Sequence, residues 1–486
     1  MAPAISSLCA PHGGVFCGTG DGAPICKTRG FFNMFERHIE CFFEAWSAAA
    51  LPPCYIVGGF VRNQMLGYAA GDTDITSSAP PQAAEALPAP DFMFAEKAYG
   101  LGTVAILQRY CGETYVYEYT AFRKDNYGRG GEHIPQSVTF TEDMTEDAKR
   151  RDFTVNALYM DAHGSITDPT GRGKAAIENK IIEQITQETL SVDALRILRM
   201  VRFAAELGFD VEAQTWESAK RNIGGLADIS KERIRDEFSA ILTADSKYNN
   251  KGGVLRALHM LKELGAFKYI IPELEAGEGM VQNTQYHAYD VAEHALRSCA
   301  CAKGELITRM AALLHDIAKP MVFAETGKMY GHDKIGAQRA MEALKALRYE
   351  NSFIAAVGEL VGAHMFDLDN QAKKHAVARK IVKLGEEQFL RLCDVREADF
   401  CGSGMGAPAL SAQKWRETLK VLHEQAAPMN ISQLAINGKD LMRELKIPQG
   451  KRVGELLQAL LVYALKKPTQ NNYKNLLRYA KMIEKR

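Results

Sequence analysis

No stretch of this sequence is both long enough and free enough of charge to cross a bilayer as a helix, which excludes a helical membrane protein. An excess of charge of one sign is also missing. Lys and Arg number 59 and Asp and Glu 59, so any hold on a polyanion must come from a local patch. The ten cysteines contain no CxxC pair, which removes zinc knuckles and redox dithiols. Cys54 and Cys393 sit in apolar surroundings, and the set reads as reduced, buried thiols of a cytosolic protein. No repeat period stands out, so a solenoid is not expected. At 486 residues the chain exceeds one hydrophobic core, and roughly two to four domains are expected.

Residues 1–33 lack periodicity and hold no long apolar segment, so a signal peptide is not expected there. They read as a disordered extension or the product of an upstream start codon. Helical spacing begins with Phe35, Ile39, Phe42, Phe43 and Trp46. Strand patterns follow, at 103–107 and 115–119 among others. Residues 123–150 include a polar, Gly-rich segment that reads as a mobile loop. Beyond Ile177 the pattern is helical. One helix runs from Leu195 to Leu207 and stops at Gly208; others are expected around 234–242, 254–264, 292–301, 307–317, 337–347 and 379–400, with 453–465 as the last. The expected class is α+β: a mixed α/β head on a long all-α body.

Chemistry concentrates first at Gly58-Gly59, Arg62, Asp72 and Asp74. An apolar strand ends in a Gly pair, where main-chain N–H groups can approach a phosphate. In a strand Asp72 and Asp74 share a face, and two such carboxylates call for a hard cation, Mg2+ being the usual one. Arg62 is a fork donor for phosphate oxygens. Glu118, in an alternating strand, is a candidate third carboxylate and equally a solvent-facing strand residue. Arg151, Asp152 and Asn156, in Arg150-Arg151-Asp152-Phe153-Thr154-Val155-Asn156, suit triphosphate and ribose binding or form a surface cluster. Asp193 and Arg196 stand at i and i+3, which on a helix gives an intrahelical ion pair by default. The sharper reading is base selection. Cytosine and adenine both present an amino donor beside a ring-nitrogen acceptor, which a carboxylate next to an Arg complements; uracil and guanine would leave unmatched polar groups.

These motifs resemble those of the class II CCA-adding tRNA nucleotidyltransferases and their relatives, the bacterial poly(A) polymerases. The resemblance adds Asp193-Ala194-Leu195-Arg196-Ile197-Leu198-Arg199 with Arg202 among the nucleotide-binding residues, and Glu232-Arg233-Ile234-Arg235-Asp236-Glu237. It departs at Asn63, where the family has Asp, and at Val192, where it has Glu beside the base-reading carboxylate. It implies Mg-dependent addition of CCA to the 3′ end of tRNA from CTP and ATP in the cytoplasm, with Asp72, Asp74 and Glu118 catalytic. The alternatives are a poly(A) polymerase, or chiefly a phosphohydrolase with a degenerate head. Segment 123–135 resembles the family's complete flexible loop, which implies that terminal A addition is retained.

Further on, His294, then His315-Asp316 with Lys319, resemble the HD phosphohydrolase pattern. The resemblance implies a divalent transition metal on His294, His315, Asp316 and Asp399, with Asp394 as runner-up for the last, and hydrolysis of cyclic phosphates, 2′-nucleotides or phosphomonoesters suited to RNA repair. His332 and His364 are weaker candidates for phosphate contact. The tail, 431–486, holds 12 Lys and Arg against 4 Asp and Glu. Lys466, Lys467, Lys474 and Arg478, near Tyr473 and Tyr479, are the expected RNA contacts, although a solvated helix face has the same composition. The expected domains are a head at 34–160, a base-recognising helical neck at 161–270, an HD-type domain at 271–425 and an RNA-binding tail at 426–486.

Overall fold

The chain was described by a computed structural model, which covers residues 36–69, 71–126 and 137–484. The extension expected at 1–33 and the Gly-rich centre of the expected loop, 127–135, lie outside the described residues.

Alternation of apolar residues builds a seven-stranded mixed sheet from β1 (Cys54–Val57), β2 (Thr73–Ser77), β3 (Phe92–Ala98), β4 (Thr103–Tyr110), β5 (Glu113–Ala121), β8 (Tyr159–Met160) and β9 (Ile166–Thr167), in the order β3-β4-β5-β2-β1-β8-β9. Within this sheet, among the described residues, only the β2–β5 pairing is parallel, and it places Asp74 opposite Glu118. The first helix, Arg37–Ala48, buries Ile39, Phe42, Phe43 and Trp46, the stripe that its spacing predicts. Phe42 and Trp46 meet Tyr117 and Tyr119 of β5, closing one face of the sheet.

The flanks of the expected loop are ordered. Arg123–Asn126 (β6) and Ser137–Phe140 (β7) pair antiparallel, Asn126 with Ser137, so the segment begins and ends as a ribbon. Arg123–Asn126 is polar on both faces, and Ser137–Phe140 offers only Val138 and Phe140 on one, which makes for a weak strand signal.

The body is helical, as expected, and the helix Leu195–Leu207 does end at Gly208, whose φ of +69° is the left-handed cap. Three expectations need correction. Residues 379–400 are not one helix: Lys374–Leu384 and Glu386–Gly402 are broken at Gly385, where φ is +78°. The helix expected at 307–317 ends at Leu314, so His315 and Asp316 occupy a turn. The segment 453–465 is not the last helix, since Tyr473–Glu484 follows and stacks Tyr479 on Tyr463.

The cysteines also depart from the all-reduced reading. Cys301 and Cys401 are disulfide-bonded, because the last turns of helices Val291–Cys301 and Glu386–Gly402 lie side by side with Cα atoms 6.1 Å apart. Cys54, Cys299 and Cys393 are free and buried, whereas Cys111 is free and exposed. Among the described residues no helix is long and apolar enough to cross a membrane.

Candidate active site

The site grows from the end of β1. Val57 pairs with Asp74, so the chain leaving β1 passes directly over that carboxylate. Gly58 turns it there with φ +80° and starts the helix Gly59–Leu66; a Cβ at Gly58 would lie 3.3 Å from Asp74 Oδ2. Only glycine accepts both the turn and the approach. Asp72 is exposed just before β2, and Asp74 is half-buried within it. Burial and the neighbouring Glu118 and Asp72 raise the Asp74 carboxyl to about 6, against the pull of Arg151 and Arg199.

Asp72 and Asp74 open into a cavity of about 750 Å3. Gly58, Gly59, Arg62, Arg151, Asp152, Asn156, Asp193, Arg196, Arg199 and Arg202 all line it, so residues spread over 145 positions of sequence meet at one place. Glu118 stands beside Asp74 across the sheet but is exposed and outside that lining. Asp125 of β6 is in the lining, with Arg123 Nε 2.9 Å from its carboxylate. Asp125 is not singled out by the sequence because Arg123–Asn126 is polar throughout and reads as loop.

The cationic wall is held by its own anions. Asp152 accepts from Arg199 Nε and Nη2 at 2.8 and 2.7 Å, and also from Asn156 and the Phe153 N–H. Burial opposes ionisation, yet Arg199 and Asn156 bring the Asp152 carboxyl down to about 2. Arg202 binds Glu237 at 2.7 Å and Glu206 at 3.1 Å. Arg62, expected as a free phosphate fork, is buried and donates to Asn156 at 2.7 Å, to Asn63 and to Tyr248. Asn63 Oδ1 accepts from both Nε and Nη2 of Arg62. Tyr248 and Lys247, which the sequence reading did not single out, complete the rim.

Asp193 and Arg196 do not sit on one helix, which corrects the intrahelical reading. Asp193 is in extended backbone between the short helix Thr189–Val192 and the helix Leu195–Leu207. Its carboxylate accepts from the Leu195 N–H at 3.1 Å and from Arg233 at 3.2 Å. Arg196 reaches back to the carbonyls of Arg150 at 2.7 Å and Thr189 at 3.2 Å. Arg233, which makes that ion pair, stands on the helix Lys231–Leu242.

The expected second constellation also assembles. His294 on the helix Val291–Cys301, His315 and Asp316 in their turn, and Asp399 on the helix Glu386–Gly402 converge away from the cavity. Asp394 is engaged instead by Lys303 and Arg416, each at 2.5 Å. In the tail Lys466, Lys467, Lys474 and Arg478 are all exposed. Tyr473 is hydrogen-bonded to Arg443 and Glu444, and Tyr479 is stacked on Tyr463.

A mixed sheet presenting paired carboxylates beneath a Gly turn, roofed by a wall of arginines from a helical body, defines a nucleotidyltransferase. Residues 54–183 match the family described as poly A polymerase head domain, 208–277 the probable RNA and SrmB-binding site of polymerase A, and 332–480 the putative tRNA nucleotidyltransferase domain 2. The A-adding tRNA nucleotidyltransferase of Deinococcus radiodurans is 31% identical over 431 residues, spanning 84% of this chain and 91% of its own. The CCA-adding enzyme of Geobacillus stearothermophilus is 31% identical over 414 residues, spanning 84% and 87%. The crystal structure of the Bacillus stearothermophilus CCA-adding enzyme in complex with CTP has a TM-score of 0.65 at 26% identity, covering 92% of this chain and 97% of that one. The chain belongs to the class II family of CCA-adding tRNA nucleotidyltransferases and bacterial poly(A) polymerases, and within it is a tRNA nucleotidyltransferase.

Proposed function

We propose that the chain completes tRNA 3′ ends in the cytoplasm by adding C, C and A without a template, with Asp72 and Asp74 as the chemical centre and Asp193 and Arg196 as the base reader. The observation that carries this is the shared cavity: the two carboxylates and the two base-reading side chains line one space of about 750 Å3.

The donor set fits Mg2+. It is all oxygen, and the ionised form of Asp74 is disfavoured by burial and by its anionic neighbours, a charge balance that a bound cation would reverse. Held by Asp72 and Asp74, the ion would supply Lewis-acid activation of the attacking RNA hydroxyl and charge neutralisation at the leaving pyrophosphate. Arg151, Arg199 and Arg202 provide the cationic wall along which the triphosphate lies, and the Gly58 turn lets the main chain come close to it. Asp193 accepts from the exocyclic amine of C or A, and Arg196 donates to the ring nitrogen beside it. Uracil or guanine would place acceptor against acceptor and donor against donor, an unpaired arrangement that discriminates strongly.

Replacing Asp72 and Asp74 by Ala abolishes incorporation of CTP and ATP in this reading, and Asp193→Ala relaxes the exclusion of UTP and GTP. Undiminished incorporation by the Asp72→Ala, Asp74→Ala protein would remove the assignment. A second reading has its own observation: the Deinococcus relative, as similar as the CCA-adding ones, is an A-adding enzyme. If this chain shares that specialisation, a tRNA ending in CC accepts A while one lacking CC accepts nothing.

A further inference from the structure

In the proposed reading the arginine wall, Asp193 and Arg196 serve the incoming nucleotide, and none of them receives the RNA end that must reach Asp72 and Asp74. We propose that Tyr68, stacked on Tyr248 at the rim of the cavity, is the platform on which the last base of that RNA stacks, whichever base it is. Such a platform presupposes the RNA extension proposed above and adds to it the side chain that takes the acceptor end.

The pair forms where the head meets the helical body. Tyr68 follows the helix Gly59–Leu66, and Gly71 and Asp72, a few residues further on, line the cavity. Tyr248 comes from the other side, directly after the short helix Ala244–Lys247, and lines the same cavity. The two rings lie face to face, with centroids 4.5 Å apart and planes 21° from parallel. Tyr68 nevertheless remains 38% exposed, so an aromatic ring with one face covered still offers surface to a second ring.

Asn63 fixes both members of the pair. Its Oδ1 accepts from Arg62 Nη2 at 2.9 Å and from the Tyr248 hydroxyl at 3.1 Å. Its Nδ2 donates to the Ala69 carbonyl at 3.3 Å, and its own carbonyl accepts from the Tyr68 N–H at 2.9 Å. A guanidinium can only donate, so the Arg62 contact settles which end of the amide is oxygen. A carboxylate at this position could not make the bond to Ala69. Two rings held in place before any RNA arrives leave little ordering cost to binding.

Stacking suits the acceptor end for a chemical reason. When C, C and A are added in turn, the terminal base changes from step to step. A hydrogen-bonding pocket matched to one base would leave unpaired polar groups against the next. Every base has a π-face, so an aromatic ring accepts them all. Lys247 is exposed, 3.9 Å from Glu206 Oε2 and 5.5 Å from the Tyr248 ring centroid, and sets a cation beside the platform for a phosphate of the same strand. A stacking ring next to a cation is the combination that single-stranded nucleic acid takes.

Removing the ring and the base, separately and together, tests this. A hairpin RNA with the sequence of a tRNA acceptor stem, ending in a 3′-deoxy nucleotide so that it cannot be extended, is made with its terminal base present or replaced by an abasic residue. Dissociation constants are measured at one salt concentration for the full-length wild type, Tyr68→Ala and Tyr68→Trp. Tyr68→Ala should weaken binding of the intact RNA about 10-fold, by a similar factor whether the last base is A, C, G or U, and leave binding of the abasic RNA unchanged. Tyr68→Trp should keep the wild-type affinity. A terminal 2-aminopurine should lose its fluorescence on binding the wild type and keep it on binding Tyr68→Ala. Equal weakening for intact and abasic RNA would give Tyr68 a structural role and overturn the platform, as would a loss confined to one base or no loss at all. Because the RNA is inert, these outcomes are read apart from nucleotide incorporation, whose absence would instead remove the proposed function.

Discussion

Asp152 carries its charge where burial alone would forbid it, and its partner Arg199 is the reason. A carboxyl at about 2 in the folded chain and near 3.8 when unfolded contributes stability that is complete above pH ~4 and is lost as pH falls toward 2. The difference amounts to about 2 kcal/mol. Asp152→Asn should therefore lower the melting temperature at pH 7 and flatten its further fall between pH 4 and pH 2; an unchanged acid profile would show that Asp152 is not held ionised. At the same scale, Arg233→Gln removes the 3.2 Å ion pair that Arg233 makes with Asp193. The expected outcome is an increase in KM for CTP and ATP together with a rise in UTP incorporation, read from single-nucleotide kinetics.

Elements were legible where one physical signal dominated. The amphipathic stripe of the first helix and the Gly208 stop are written in local periodicity and chain conformation. The break at Gly385 is not, because apolar spacing continues across it from Ile381 to Phe389 and Leu392. Its φ of +78° and ψ of 162° are open to glycine almost alone, so Gly385→Ala should cost about 1–3 kcal/mol, measured as a lower urea midpoint, with no steric clash to confuse the reading. The candidate site divides in the same way. Gly58, Asp72 and Asp74 stand out in the sequence as a turn and a pair of acids, whereas Asp125 sits on a strand, Arg123–Asn126, that is polar on both faces. The side-chain roles depend on contacts distant in sequence. Arg62 spends its fork on Asn156 and Tyr248, and Asp193 takes Arg233, neither of which spacing within a motif can reveal.

Across the whole molecule, the proposed reading puts chemistry, base selection and RNA binding on different parts of the chain. In the proposed function the head supplies Asp72 and Asp74, the start of the helical body supplies Asp193, between two helices, and Arg196, and the exposed tail supplies Lys466, Lys467, Lys474 and Arg478. Phosphate contacts far from the reacting end add affinity without touching the chemical step. Replacing those four tail residues by Ala should raise KM for tRNA about 10-fold with kcat unchanged, and make the salt dependence of binding shallower by about 3 in log–log slope. The central claim, one cavity that selects C and A and builds a three-residue end, is tested most directly by length. A tRNA transcript ending at the base before CCA is incubated with each nucleotide singly and with CTP and ATP together, and the products are resolved on a gel. CTP alone should add two residues and CTP with ATP three, with no growth beyond. Addition of A only to transcripts already ending in CC, or long A tails on any RNA, would contradict it.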